Sequence, residues 1–176
     1  MNETLKVLKE RRSIRKYKAE QIKDEELNAI LEAGTWAASG KGLQSAVMVV
    51  AQDPETVSML SKANAEIWGK PGVDPFYGAP TAVVVLADGE AVNWLQDGSL
   101  VMGNLMTAAA AIGVGSCWIN RCMEYFDTPA GKELLKKWDW TRSTGAWASA
   151  SWAMPTAPCL RPSPGRKATS SGCKGI

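Results

Sequence analysis

Residues 97–120, DGSLVMGNLMTAAAAIGVGSCWIN, decide the fold that the sequence predicts. The segment from Ala91 to Gly115 is apolar nearly all round, which is typical of a helix buried at the centre of a domain. Gly113 and Gly115 are expected to end this helix, because glycine adopts the left-handed conformation that closes helices. The short apolar run SCWIN, which begins at Ser116, is typical of a buried strand. A central helix that leads directly into a strand is therefore predicted.

The sequence on both sides of this segment also alternates between helical and strand patterns. Further helices are predicted from Asn2 or Thr4 to about Arg12, from Asp24 to about Ala38, from Pro54 to Trp68 and from Thr128 to Asp139. Short buried strands are predicted to begin at Ala46 and Gly78. Asp24 and Thr128 are expected to be helix caps. With 176 residues, 45% of them hydrophobic, the chain can bury one core, so we expect a single globular domain.

The composition excludes several classes of enzyme. The chain contains no histidine, which removes the Ser-His-Asp and Cys-His nucleophile designs and the HExxH zinc site. Its four cysteines form no CxxC pair, so a disulfide framework is not indicated. The N-terminus is charged and the longest apolar run, Leu100 to Ile112, is too short to span a bilayer, so we expect a cytoplasmic protein. We assign no catalytic side chain and no metal ligand, and expect any chemistry to come from a cofactor.

A basic cluster, RRSIRK at residues 11–16, follows the first predicted helix. Guanidinium groups suit a phosphate, to which they donate paired hydrogen bonds, and a serine hydroxyl adds a short donor. The candidate phosphate ligands are Arg11, Arg12, Ser13 and Arg15. A solvated basic turn is an equal alternative, since cations are favoured at a helix C-terminus. Nucleic acid is a weaker one, because the net charge is only +2 and no stripe of basic and aromatic residues extends the cluster.

Three further segments could approach a ligand. Residues 37–46, AASGKGLQSA, form a glycine-containing loop in which Gln44 offers both a donor and an acceptor; an ordinary flexible loop is the alternative. In residues 113–120, GVGSCWIN, a helix cap followed by a buried cysteine is the alternative to a ligand contact. The segment WGKPGVDPFYG, from Trp68, has aromatic residues that could form the wall of a planar substrate site or pack beneath a loop.

Taken together and in this order, the basic cluster, the glycine-containing loop and residues 113–120 resemble the nitroreductase family of FMN-dependent oxidoreductases, over residues 3–138. The resemblance implies an α+β fold in which helices flank a central, mostly antiparallel sheet. The opening motif of the family, two basic residues, Ser, any residue and a basic residue, is matched by RRSIR. This match implies that the FMN phosphate and ribityl chain are bound by Arg11, Arg12, Ser13 and Arg15.

The resemblance extends to the glycine-containing loop, which in the family usually reads Pro-Ser-x-x-Asn-x-Gln-Pro-Trp. Ser39 and Gln44 match this pattern, whereas Gly42 replaces the asparagine. The family's loop reaches across a homodimer interface to the partner's flavin, which implies cofactor contacts for Ala38, Ser39, Gly40, Gly42 and Gln44. The resemblance also implies that the isoalloxazine ring lies over the backbone of Gly115, Ser116 and Cys117.

The activity that the resemblance implies needs no protein nucleophile. NAD(P)H passes hydride to FMN, which then reduces a nitroaromatic, a quinone or a related acceptor in a ping-pong cycle. The alternatives are a flavin-binding protein with little turnover and a specialised member such as a dehalogenase, flavin reductase or enoyl-type reductase. A homodimer with FMN at its interface is expected, without a nucleic-acid or membrane partner.

Residues 141–176 differ from the rest of the chain. They carry five lysines or arginines and no acid, and the glycine-rich strand and Lys-Pro-Arg segment that end members of the family are not visible. We therefore consider a shifted frame, in which each codon takes the last base of one codon and the first two bases of the next. Trp147-Ala148 and Trp152-Ala153 must then each give glycine, and Met154-Pro155 must give alanine. Permitted wobble bases let residues 145–158 read GGVGVGVLGYADCP, and let SPG from Ser163 read Lys-Pro-Arg.

We accordingly predict that residues 1–140 are the FMN-binding domain and that residues 141–176 are an atypical tail, not an independent domain. The tail is predicted to arise from a frame shift near Asp139 to Thr141. It is expected to lack the family's C-terminal strand and the second half of its phosphate clamp. Losing one charge-assisted contact costs about 1.5–3 kcal/mol, so we expect FMN binding to be weakened rather than lost.

Overall fold

The computed structural model describes residues 2–140 and 144–153. In chain order it contains α1 (Glu3–Glu10), α2 (Asp24–Thr35), a 3-10 turn (Gly40–Gly42), β1 (Val47–Ala51), α3 (Pro54–Ile67), β2 (Thr81–Asp88), α4 (Trp94–Ala111), β3 (Gly115–Ile119), α5 (Cys122–Phe126), α6 (Pro129–Lys137) and β4 (Thr144–Ala153). Each helix and strand that the sequence predicts is present, with ends that differ by a few residues. The short helix α5 was not predicted, because five residues are too few to show a helical period.

Side-chain caps set the beginnings of the helices. Thr128 accepts a hydrogen bond from the backbone N–H of Gly131 at 3.1 Å, which confirms it as the cap of α6. The prediction for α2 is wrong by one residue, since Asp24 is the first helical residue and not the cap. The backbone N–H of Lys23 donates to the Glu26 carboxylate at 3.1 Å, and this bond starts the helix one residue earlier.

The four strands form one sheet in the order β1–β2–β4–β3, in which every neighbouring pair is antiparallel. β2 is buried along almost its whole length, as expected for an apolar strand covered on both faces. Its alternate residues enter two cores. Val83 and Val85 pack with α2 and α4, whereas Ala82, Val84 and Leu86 pack with α3, α5 and α6. Helices therefore flank an antiparallel sheet, which confirms the predicted α+β fold.

The long helix α4 begins beside the glycine-containing loop and ends at the start of β3, and the sequence singles out both of these segments as possible ligand contacts. Met102 and Leu105 of α4 are fully buried, as the apolar pattern predicts. Gly113, with φ of 81°, ends the helix in the left-handed conformation, and the Val114 N–H donates to the carbonyl oxygen of Ala109 at 2.8 Å. The chain therefore turns directly into β3. Among the residues that the structure describes, no helix is long and apolar enough to cross a membrane.

The expectation that the chain lacks its C-terminal strand is wrong. β4 lies between β2 and β3 and pairs with both, with a register irregularity between Val85 and Leu86. Strands pair through their main-chain N–H and C=O groups. Without β4, these groups would be unpaired along the facing edges of β2 and β3. The predicted position of the Lys-Pro-Arg segment lies outside the described residues. The frame-shift hypothesis stays a prediction.

Candidate functional site

The arginine motif, residues 11–15, lies against the beginning of β3. The Ile14 N–H donates to the carbonyl oxygen of Ser116 at 2.9 Å, and Ser13 and Ser116 form a parallel bridge. A cavity of about 270 Å³ lies here, between α1, the last residues of α4 and the start of β3. Arg11, Arg12, Gly115 and Ser116 are among its lining residues. The structure thus brings together two of the three segments that carry the family resemblance.

Arg11 is the residue whose environment most clearly favours an anion. Its Nη1 atom is enclosed and has no hydrogen-bond partner among the described residues. A buried donor without an acceptor costs about 1–3 kcal/mol, and more when it is charged. An anion in the cavity would supply the missing acceptor after a small movement of the side chain. The unpartnered guanidinium therefore fits a phosphate.

Arg12 differs from Arg11 in its partners. Its Nη1 donates to the carbonyl oxygen of Lys9 at 2.9 Å and to that of Arg11, so part of its guanidinium satisfies the carbonyl end of α1. This is the helix-end role of the basic-turn alternative. Arg12 nevertheless lines the cavity.

Three side chains of the arginine motif interact with Cys117 on β3. The Cys117 side chain is buried, and burial raises the pKa of its thiol, while the charges of Arg15 and Arg11 and a hydrogen bond with Ser13 act in the opposite direction. Burial is the largest of these effects, so the thiol stays protonated at neutral pH. The side chain belongs to the core, so at this position a ligand could meet only the backbone of Cys117.

The glycine-containing loop, residues 37–44, lies at the other end of α4. The Gly40 N–H donates to Asp97 Oδ1 at 2.9 Å, and Asp97 is a buried residue in the first turn of α4. The Gln44 N–H donates to Ser39 Oγ at 3.0 Å and closes the loop on itself. Lys41 and Gln44 have positive φ angles of 55° and 48°. A loop held by a buried carboxylate is better ordered than the flexible-loop alternative assumes.

The loop and the arginine motif of one chain are far apart. Asp97 touches the loop and Ala110 lines the cavity of the motif, and thirteen residues of helix separate them. At about 1.5 Å per residue, this separation is about 20 Å. Arg11 and Arg12 line one cavity with Gly115 and Ser116, and Ser13 and Arg15 interact with the neighbouring Cys117. The loop residues Ala38, Ser39, Gly40, Gly42 and Gln44 lie outside this cavity.

A second cavity, of about 260 Å³, lies at the far end of β3 and is called the aromatic cavity here. Its lining residues are Asn64, Trp68, Pro75, Tyr77, Trp118, Ile119, Asn120 and Arg121. Ser116 and Asn120 are four residues apart on an extended chain, or about 13 Å. The Arg15 guanidinium lies 6.0 Å from the centre of the Tyr77 ring, so the arginine motif reaches toward this cavity. One strand thus connects the two cavities.

The sequence predicted the aromatic cavity only in part. Trp68 and Tyr77 line it, as the wall interpretation requires, whereas Phe76 is buried in the core, as the packing alternative requires. Trp118 and Arg121 were missed. Only the position of Trp118 within the predicted ligand segment, residues 113–120, could have pointed to them.

Strained backbone conformations occur mainly in the glycine-containing loop and at the aromatic cavity. Among the described residues, five that are not glycine have a positive φ, and four of them lie in the loop or at the aromatic cavity: Lys41, Gln44, Tyr77 and Arg121. Such conformations cost about 1–3 kcal/mol each and cluster at ligand sites, where the surrounding structure holds them. The two sets of strained residues therefore mark both elements as candidate ligand contacts.

A larger cavity, of about 810 Å³, lies elsewhere, between α3 and residues 71–80. Ser61 donates to the Asp74 carboxylate there, and this carboxylate also accepts from the backbone N–H groups of Phe76 and Gly78. The polar groups of this region hold the loop that carries Tyr77. Its volume alone is no reason to prefer it as the site.

Comparison with known proteins gives this geometry a context. The profile of the Nitroreductase family matches residues 8–135, which include the arginine motif, the loop and β3. The chain belongs to the nitroreductase family. Membership confirms the resemblance inferred from the three segments, and the antiparallel sheet flanked by helices confirms the fold that this resemblance implies.

Relatives in the family are similar over most of the chain. A protein of Archaeoglobus fulgidus, named an NADH dehydrogenase/NAD(P)H nitroreductase, is 35% identical over 140 residues, which are 77% of each chain. A nitroreductase with bound FMN from Bacteroides fragilis has a TM-score of 0.86 and 25% identity, and the match covers 97% of each chain. An FMN-dependent nitroreductase from Clostridium difficile R20291 has 31% identity and a TM-score of 0.75, over 89% of this chain and 90% of that one.

Proposed function

We propose that this protein is an FMN-dependent oxidoreductase that passes reducing equivalents from NAD(P)H to quinones, nitroaromatics or related acceptors. The observation that carries the proposal is the enclosed, unpartnered Nη1 atom of Arg11, a residue that lines the cavity beside β3, to which the Ser13–Ser116 bridge joins the arginine motif. The FMN-bound relatives support the identity of the ligand.

The phosphate of FMN is assigned to the cavity of the arginine motif. Arg11 and Ser13 would bind it directly, with Arg12 at the edge, and the ring would lie along the backbone of Gly115, Ser116 and Cys117 toward the aromatic cavity. FMN supplies the chemistry: it accepts hydride from NAD(P)H and passes two electrons on. In net terms, NAD(P)H and one proton reduce a quinone to a hydroquinone. The chain binds and orients the reactants, which agrees with the absence of histidine from the sequence.

The shape of the site supports a ping-pong order. The aromatic cavity is bordered by a single set of rings, and its volume of about 260 Å³ suits one planar group at a time. Donor and acceptor would therefore occupy it in turn. Steady-state kinetics that give parallel double-reciprocal lines would support this order.

The loop is assigned to the FMN of the partner subunit in a homodimer. This assignment uses the separation of about 20 Å along α4, which leaves the loop too far from its own arginine motif. Exposed apolar residues lie beside the loop and within it: Trp36 is 79% and Leu43 is 59% exposed. Within α4, nothing lies within 4 Å of the position that a Cβ atom on Gly103 would take. An open glycine in a helix costs about 1 kcal/mol relative to alanine, and its use here favours close approach of a second helix.

The proposal is tested by titrating purified protein with FMN and following the quenching of flavin fluorescence. Oxidation of NADH and NADPH is then measured with menadione as acceptor. We expect saturable FMN binding that weakens about 10- to 100-fold in Arg11→Met, and little change in Lys132→Met, which removes the same charge from the exposed surface of α6. Protein that binds FMN but does not oxidise NAD(P)H is a flavin-binding protein. Protein that binds no FMN refutes the assignment.

A further inference from the structure

We infer that the aromatic cavity is an acceptor site selective for planar aromatic molecules that carry a carboxylate or sulfonate group. The inference rests on the proposed function, because it names the substrate class of the same site. It is carried by three features of the cavity: the aromatic walls, the cations at its rim and the weak pairing of one of those cations.

The walls of the cavity suit a flat ring. Trp68, Tyr77 and Trp118 come from three different elements, namely the end of α3, the segment before β2, and β3. Tyr77 is fixed in its left-handed conformation by the loop that Asp74 organises, since Asp74 accepts hydrogen bonds from the backbone on both sides of it. Rings held in this way offer stacking surfaces without losing much side-chain entropy on binding.

Three cations surround these rings. The Lys70 Nζ atom lies 4.2 Å from the centre of the Trp68 ring, the Arg15 guanidinium lies 6.0 Å from that of Tyr77, and Arg121 lines the cavity itself. Two carboxylates lie beside them, Asp74 and Glu124, so the cations outnumber the acids by one. The rim therefore presents a net positive field to a ligand that stacks between the rings.

Arg121 is the cation best placed to bind an anionic substituent. Its φ of 76° holds the backbone in a conformation that residues other than glycine avoid, at the point where β3 ends. Its Nη1 atom lies 3.1 Å from Glu124 Oε1, and both side chains are more than 40% exposed, at 46% and 42%. Exposed ion pairs of this kind are weak, so the anion of an acceptor can replace Glu124 as partner. Arg121 is thus a specificity-determining residue.

The test compares 4-nitrobenzoate with its neutral methyl ester as acceptors for the FMN-loaded protein. In each case NAD(P)H and one proton reduce the nitro group to a nitroso group and water. The measured quantity is the ratio of kcat/KM for the anion to kcat/KM for the ester. The two acceptors differ in intrinsic reactivity, but this difference is the same for every variant, so it cancels when the ratios of two variants are compared. We expect Arg121→Gln to lower this ratio about three- to tenfold and Glu124→Gln to raise it about two- to fivefold. Lys132→Gln should leave it within twofold.

Opposite shifts in the two variants distinguish selectivity from structural damage, because damage would move both acceptors together. A ratio that is equal in all variants overturns the inference while the proposed function stands. Absence of turnover with both acceptors is instead a failure of the proposed function.

Binding gives a readout that does not depend on turnover. Equilibrium dialysis of FMN-saturated protein with 2-naphthoate and with 2-naphthylmethanol, at 20 and 300 mM salt, is expected to show tighter binding of the carboxylate at low salt. The preference should fall at high salt and in Arg121→Gln. Equal binding of the two compounds at low salt overturns the inference, whatever the kinetics show.

Discussion

Replacing Arg11 by methionine should change the stability of the free protein and its affinity for FMN in opposite senses. In the free protein, the enclosed Nη1 atom of Arg11 has no partner among the described residues. Methionine keeps an unbranched apolar stem and removes the unpartnered donor, whose burial costs about 1–3 kcal/mol. We therefore expect the free energy of unfolding of the FMN-free protein to stay the same or to rise by about 1–2 kcal/mol.

The same substitution removes a charge-assisted hydrogen bond to the FMN phosphate. Such a bond is worth about 1.5–3 kcal/mol, which corresponds to a loss of about 10- to 100-fold in affinity. Urea unfolding of FMN-free protein, followed by circular dichroism, gives the first quantity, and flavin fluorescence gives the second. Arg11→Lys keeps the charge but not the paired donors, and should lie between the wild type and Arg11→Met. A variant that is less stable without FMN and binds FMN as tightly as the wild type would refute the reasoning.

Four further predictions concern other parts of the structure. Gly103→Leu should shift the dimer toward monomer in sedimentation velocity and weaken FMN binding, because a large side chain blocks the open face of α4. Gly131→Ala should lower the free energy of unfolding by about 1–3 kcal/mol in urea titrations, because its Cβ atom would meet the carbonyl oxygen of Tyr125. Burial raises the pKa of Cys117, so its thiol should react with a thiol reagent at pH 8 far more slowly in the folded than in the unfolded protein. The buried neutral thiol adds its full share to the free energy of unfolding below about pH 9, and this share is lost as the pH rises through the pKa of the folded state. Replacing residues 141–176 by the polypeptide of the shifted frame should tighten FMN binding about 10- to 100-fold if it restores one or more phosphate contacts, and unchanged affinity would count against the frame-shift hypothesis.

Much of the fold could be predicted because its elements are local in sequence. The apolar helix α4, the glycine that ends it and the strand β3 all show their periods within 30 residues. The cap of α2 was misplaced because the bond that starts this helix involves Glu26, and the sequence does not say which of three neighbouring acids makes it. The position of β4 could not be read at all, since it depends on the unpaired edges of β2 and β3.

The candidate site was predictable only where charge marks it. The basic residues of the arginine motif are visible in the sequence, but the difference between Arg11, which lacks a partner, and Arg12, which bonds to the end of α1, is a matter of packing. Arg121 carries no sequence pattern of its own. Its place at the aromatic cavity follows from a left-handed backbone at the end of β3, which local residue preferences alone would have excluded.

The order of strands in the sheet has a consequence for how the protein is made. β4 is the last of the described strands to leave the ribosome, yet it lies between β2 and β3. Until residues 144–153 have been synthesised, the nascent chain holds two strands with unsatisfied edges and no direct pairing between them. Such edges are open to pairing with other chains, and the sheet can close only through contacts that are distant in sequence. Yield during translation should therefore depend on chaperones that shield these edges, and on the residues of β4 more than on those of any strand made earlier.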